Sequence, residues 1–202
     1  MPQKLAWMAP HGKAWLRKNE RTVFENPWLA VREYDAVAPT GSPATYGVVH
    51  MKNYAIAVLP LHDDGTVTLV GQNRFVFADY SWELPEGGGP MDVEPLESAK
   101  RELREETGLE AAQWRLIFDV QVSNSVTDEH AFGFLATGLT QAKTEPDETE
   151  DLALARVPFT EALEAANAGF IKDFLTVAML LRAYHMASKG ELPGDLARLV
   201  LG

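Results

Sequence analysis

Residues 82–109 read WELPEGGGPMDVEPLESAKRELREETGL, a glycine-rich loop that runs into a short helical pattern and leaves it through another glycine. Pro95 suits a first helical turn, where a missing N–H costs nothing, and Gly108 suits the left-handed residue just past a helix end. Leu96, Ala99 and Leu103 form one apolar stripe between them, so the pattern predicts an amphipathic helix over 95–107. On that helix Glu102, Glu105 and Glu106 stand at i, i+3 and i+4. This gathers three carboxylates within about a third of the circumference, flanking the stripe. Arg101 lies one turn before Glu105 and one turn after Glu97, where it can neutralise and orient them. A solvated face with intrahelical ion pairs would account for glutamates alone. Their clustering beside an apolar stripe, after glycines that let backbone groups approach closely, points instead to a hard divalent cation such as Mg²⁺ or Mn²⁺.

Outward from this helix, strands and helices are interspersed. Tyr54 to Leu61 and Thr66 to Gln72 flank Asp63-Asp64-Gly65, and Asp-Gly between two apolar runs predicts a tight hairpin. Further strand-like runs cover 115–122, 131–136 and 152–157, and helical periodicity covers 160–168 and 170–188. The class is mixed, α/β or α+β. Nearer the amino terminus, after a leader to which the pattern assigns no structure, Val23, Phe24, Trp28, Ala30, Val31, Tyr34 and Val37 fall in short β-rich runs. These are broken by Asn26-Pro27 and by Pro39-Thr40-Gly41-Ser42-Pro43. Residues 1–50 are therefore expected to form a small antiparallel β-subdomain, and 51–202 the main domain.

The length of 202 residues fits one domain plus an appendage, and 46% apolar with 23% charged residues is an ordinary globular composition. A net charge of −11 repels phosphate backbones and anionic membranes, so neither a nucleic acid nor a membrane is the expected partner. If the substrate nonetheless carries phosphates, an arginine or a divalent ion must stand between it and the protein. The absence of cysteine removes disulfides, Cys-ligated metals and thiol nucleophiles. Met1 to His11 has no apolar core behind a basic start, and the most apolar run, 170–181, is interrupted by Lys172 and Asp173. A soluble cytoplasmic protein is expected. The five histidines form no ligand-spaced pair, and no Gly-x-Ser-x-Gly, Walker or G-x-G-x-x-G motif is present, so zinc-hydrolase, triad and Rossmann chemistries lack their residues.

From Gly87 to Leu109 the chain resembles the Nudix hydrolases, whose box reads G, five residues, E, seven residues, R-E-apolar-x-E-E-x-G-apolar. Arg101, Glu102, Leu103, Glu105, Glu106, Gly108 and Leu109 each match, while the box glutamate falls on Val93 with Glu94 just after it. The resemblance extends to the ADP-ribose pyrophosphatase and nucleoside diphosphate sugar hydrolase branch. Gln72-Asn73-Arg74-Phe75 is similar to that branch's Gln-x-Arg-aromatic segment, and Glu83-Leu84-Pro85 to its entry into the box. Ser123 to Glu129 is similar to its Ser-Pro-Gly-x-Ser-Asp-Glu loop, without the Pro-Gly. The acidic run Glu145, Asp147, Glu148, Glu150, Asp151 aligns with a loop that supplies a catalytic base there.

The resemblance implies an α/β/α sandwich with a mixed sheet, preceded by the β-subdomain, in a homodimer with shared sites. It makes Glu102 and Glu106 ligands of Mg²⁺ or Mn²⁺, with Glu105 as third ligand or as partner through water, and the Glu86 carbonyl completing the set. Glu148 or Glu150 would hold or deprotonate the attacking water. Arg74 would grip a phosphate by bidentate hydrogen bonds, with Glu83 and Glu129 as further substrate contacts. Trp28 would stack on a purine, across the dimer, or else be a core tryptophan; Tyr46 and Phe75 are read as packing residues. The implied reaction is metal-dependent cleavage of ADP-ribose or a related nucleoside diphosphate sugar to nucleoside monophosphate and sugar phosphate. Dinucleoside polyphosphates or NADH are alternative substrates, and a non-catalytic nucleotide-sugar sensor is the alternative to an enzyme. The isoprenoid diphosphate isomerases on the same fold would need a cysteine, and an RNA-decapping role would favour a basic groove.

Overall fold

The computed structural model describes residues 5–142 and 151–202. It divides into two compact units, Met1–Lys52 with Ser123–Asp128, and Asn53–Val122 with Glu129–Gly202.

The first unit is an antiparallel meander of β1 (Leu16–Glu25), β2 (Leu29–Val37) and β3 (Pro43–Met51) in that order. β1 begins well inside the leader to which the sequence pattern assigned no structure; none of its residues is buried, so no hydrophobic periodicity announced it. The turn after it is built by Asn26, whose Oδ1 accepts from the amides of Trp28 (2.9 Å) and Leu29 (2.8 Å), the local bonding that suits asparagine to turns. The segment Ser123–Asp128 is stitched to β3. The Val49 amide donates to Val126 O (2.9 Å), the Tyr46 hydroxyl to Ser125 O (2.6 Å) and the Met51 amide to Asp128 Oδ1 (2.9 Å). His50 lies between Asp128 Oδ2 (2.5 Å) and the Tyr34 hydroxyl (2.7 Å). Tyr46 also packs edge-on against Trp15, in keeping with a packing role.

In the second unit β4 (Asn53–Pro60) is the central element. It pairs parallel with β9 (His130–Gln141) and antiparallel with β7 (Glu86–Pro90), and β8 (Leu109–Gln121) completes a mixed sheet of order β7-β4-β9-β8. Its near-continuous apolar run reflects burial on both faces. Ile56 and Val58 pack with Ala99 and Leu103 of α1 (Pro95–Thr107), while Ala57 and Leu59 pack in a core with α2 (Phe159–Asn167), α3 (Phe174–Ser188) and α4 (Gly194–Leu201). The alternation of one strand thus puts helices on both faces of the mixed sheet. A second, antiparallel sheet is ordered β10-β5-β6, from β5 (Thr66–Arg74), β6 (Asp79–Glu83) and β10 (Ala153–Pro158).

The Asp63-Asp64-Gly65 turn forms as expected, with Gly65 at φ +78° and the His62 amide donating to Thr66 O. The hairpin does not. After one bridge, Leu61 to Val67, β4 and β5 part into different sheets, because β9 and β7 already occupy both edges of β4. The last apolar helix starts at Phe174 and not at 170, since the Asp173 side chain accepts from the Thr176 amide (2.7 Å) and caps it there. α4 escaped the sequence reading, and β8 and β9 run longer than expected. Phe75 does not pack: at the tip between β5 and β6 it is 98% exposed, beside exposed Val76 and Phe77. Among the described residues no helix is long and apolar enough to cross a membrane.

Candidate functional site

The chain crosses from the antiparallel sheet to the mixed sheet at Glu83-Leu84-Pro85-Glu86, with Glu83 ending β6 and Glu86 opening β7. The crossing is pinned at its centre. Leu84 is fully buried and its amide donates to the buried Thr176 hydroxyl (2.9 Å), while Pro85 O accepts from the Val58 amide (2.9 Å). Thr176→Val keeps the shape but leaves the Leu84 amide without a partner. That costs about 1–3 kcal/mol, and thermal unfolding should show Tm lower by about 2–4 °C per kcal/mol.

Arg74, at the end of β5, meets both glutamates. Its Nε donates to the two Glu83 oxygens at 3.0 Å, and its Nη2 donates to Glu83 Oε2 and to Glu86 Oε1 (2.8 Å). Asp173, the cap of α3, joins them: an oxygen from each of Glu83, Glu86 and Asp173 lies within 4.8 Å of the others. Three carboxylates against one guanidinium leave a negative excess, and its consequences differ by residue. Burial pushes the Glu83 carboxyl up, but hydrogen bonds from Arg74 and Ser81 together with the Arg74 charge outweigh it and hold it below the ordinary value. Burial, then the Asp173 and Glu83 charges, push Glu86 well up. Hydrogen bonding to Glu83 keeps Arg74 firmly protonated.

α1 ends in the geometry its sequence predicts. Pro95 occupies its first turn, and Gly108 (φ 65°, ψ 25°) closes it with its amide on Arg104 O. Glu102 and Glu106 are buried, at 7% and 6% exposure, on the flank of the Ala99 and Leu103 stripe, while the Glu105 side chain is 28% exposed. Glu106 Oε2 accepts from the Glu86 amide (3.0 Å), which ties the helix to the sheet crossing. Arg101 donates to Glu105 (2.6 Å), to Glu102 (2.5 Å) and to Gly88 O (2.9 Å). Glu97 pairs with Lys100 instead of Arg101. The glycine at 87 has a steric reason: a Cβ there would stand 2.5 Å from the Glu102 carboxyl carbon.

The structure therefore brings Arg74, Glu83, Glu86, Glu102, Glu105 and Glu106 into one connected array within the second unit. Glu129 is half-buried just ahead of β9, and burial raises its carboxyl. Trp28, in the first unit, is 65% exposed and is not a core tryptophan. Glu148 and Glu150 lie outside the described residues. Sequence reasoning missed Asp173 as a member, although an aspartate three residues before Thr176 and at the head of an apolar run carries an N-cap signature. It also assigned Arg74 a bidentate edge that the structure commits to Glu83 and Glu86; among the described residues Nη1 makes no hydrogen bond.

The array fits a hard divalent cation on two observations. An oxygen from each of Glu83, Glu86 and Asp173 lies within 4.8 Å of the others, and Glu86 Oε2 is buried with no hydrogen-bond partner among the described residues. Such an array can gather positive charge against a phosphate in a chain that otherwise repels one.

A family model described as NUDIX domain matches residues 51–176, and one described as nucleoside diphosphate sugar hydrolase N-terminal domain matches residues 15–49. The chain is 31% identical over 175 residues to an ADP-ribose pyrophosphatase of Mycobacterium tuberculosis, covering 85% of this chain and 84% of that one. It is 28% identical over 182 residues to a CMP-5'-(N-acetyl-N-hydroxy-3-aminopropyl)phosphonate hydrolase of Streptomyces rubellomurinus, covering 89% and 87%. The crystal structure of an ADP compounds hydrolase shares the fold, with a TM-score of 0.80 at 19% identity over 91% of this chain and 100% of that one.

Proposed function

Because the chain belongs to the Nudix hydrolases, enzymes that generally work with a divalent metal, we propose that it hydrolyses the diphosphate of ADP-ribose or a related nucleoside diphosphate sugar. The products are a nucleoside monophosphate and a sugar phosphate. The observation that carries this reading is the burial of two carboxyl side chains, Glu102 and Glu106, on one flank of α1 against the Glu86-Gly87 backbone, where oxygen ligands of a cation would stand together. The relatives named for ADP-ribose and for a CMP derivative support a substrate in which a nucleotide is joined through phosphorus to a second group.

Glu102, Glu106 and the Glu86 carbonyl hold Mg²⁺ or Mn²⁺, with Glu105 as third ligand or as partner through water. Bound there, the ion neutralises the diphosphate and lowers the pKa of a bound water. Arg74, fixed by Glu83 and Glu86, offers Nη1 to a phosphate oxygen. Glu148 or Glu150 serves as the base that orients or deprotonates the attacking water, and Glu129 as a substrate contact. The first unit, residues 1–50 in the sequence reading, contributes Trp28 to the purine and joins two copies in a homodimer. Exposure of Trp15, Leu16, Val23, Phe24 and Trp28 in that unit supports such a contact. Light scattering at micromolar concentration should give twice the chain mass, and a monomer would undo the shared-site role of Trp28. The reading places the enzyme in the cytoplasm, with no nucleic-acid or membrane partner.

The deciding experiment follows nucleoside monophosphate release from ADP-ribose, GDP-mannose, UDP-glucose, NADH and dinucleoside polyphosphates, each with Mg²⁺ and with EDTA. Metal-dependent cleavage concentrated on the nucleotide sugars is expected. Tight ADP-ribose binding without cleavage would make the chain a sensor.

A further inference from the structure

Between α1 and β8 lies a half-open hollow of about 430 Å³. That volume falls in the range of small-molecule sites. Lys100, Arg101 and Arg104 line it from the helix and Trp114 from the strand, with Glu97 and Glu110 also at its wall. Lys100 pairs there with Glu97, and Arg101 with Glu102 and Glu105, ion pairs that hold these cationic heads at the wall of the hollow.

The indole completes the chemistry. Its N–H already donates to Ala111 O (3.1 Å) and its ring meets Phe134 edge-on, so what Trp114 offers the hollow is an oriented apolar ring with no polar group left to satisfy. Arginine forks and a lysine point charge suit the oxygens of a phosphate, and the ring suits a planar base. We propose that this hollow is a second ligand site, distinct from the carboxylate array, that takes a phosphomonoester joined to a planar ring, the chemistry of a nucleoside monophosphate. Arg101 stands in both places, since it lines the hollow and holds Glu102, Glu105 and Gly88 O on its other side.

The test reads the hollow directly and requires neither metal nor turnover, so its outcome is separable from that of the hydrolase assignment. In a ¹H–¹⁵N spectrum of the full chain the Trp114 indole resonance is identified by its loss in Trp114→Phe. The metal-free protein is then titrated with AMP, with ribose 5-phosphate and with inorganic phosphate. Expected is a saturable shift of that resonance by AMP with Kd near 1 mM or tighter, and binding of the two ringless phosphates weaker by about fivefold or more. The double substitution Lys100→Ala with Arg104→Ala, both exposed side chains, should weaken AMP by about tenfold without changing the rest of the spectrum. An unmoved Trp114 resonance overturns the site, as does AMP binding undiminished in the double variant. Equal affinity for AMP and inorganic phosphate overturns the ring recognition and reduces the hollow to a general anion patch.

Discussion

Glu106→Gln should lower kcat for ADP-ribose by at least about a hundredfold, or about 2.7 kcal/mol of transition-state stabilisation, with the fold intact. The substitution is nearly isosteric, and a glutamine oxygen can still accept from the Glu86 amide, so the tie between α1 and the sheet crossing survives. What disappears is one negative charge, on a side chain only 6% exposed, that would otherwise hold the proposed cation. Steady-state hydrolysis at saturating Mg²⁺, with a thermal melt on the same sample, separates the two effects. Turnover close to that of the parent with an unchanged melt would remove Glu106 from the metal site.

The second large effect comes from a residue with no functional group. Gly87→Ala places a methyl 2.5 Å from the Glu102 carboxyl carbon, and the atoms it displaces are the far end of a flexible side chain. The fold can yield cheaply there, but the carboxylate cannot stay where it is. Mg²⁺ affinity measured by calorimetry should weaken by about tenfold or more, the scale at which misplacing a ligand's support is felt, while Tm moves by only a few degrees. Gly89→Ala is the control with the opposite signature. Its methyl would meet Ile56 Cγ1 at 2.8 Å and Ser98 Oγ at 2.9 Å, in the packing of α1 against β4, so stability falls first. Equal metal affinity in Gly87→Ala and the parent would show that Glu102 does not hold the ion.

These residues mark how far the sequence could be read. α1 was legible almost to the residue because everything that shapes it is local: a proline at its start, a glycine at its end and a stripe between them. The carboxylates on it were legible for the same reason. The turn at Gly65 was legible, but the pairing of its flanking strands was not, because the edges of β4 are taken by residues far along the chain. The array around Arg74 lies beyond a linear reading in the same way. Leu84 and Thr176, whose hydrogen bond sets Glu83 and Glu86 beside Asp173, are 92 residues apart. Phe75 and Trp28 show the limit of residue type: both are aromatic, and their exposure is decided by a tip and a turn that composition does not encode.

The small antiparallel sheet carries an order of events within it. Its third strand is completed by Ser123–Asp128, which accept from the Val49, Tyr46 and Met51 groups. As the chain is synthesised, at about 5–20 residues per second, β3 therefore emerges several seconds before the segment that finishes it. Until then two of its amides have only water, and β1 has no buried residue of its own to hold it. A cut after residue 52 would release an unfinished sheet, because strands made early in this chain are completed only by a segment made some seventy residues later.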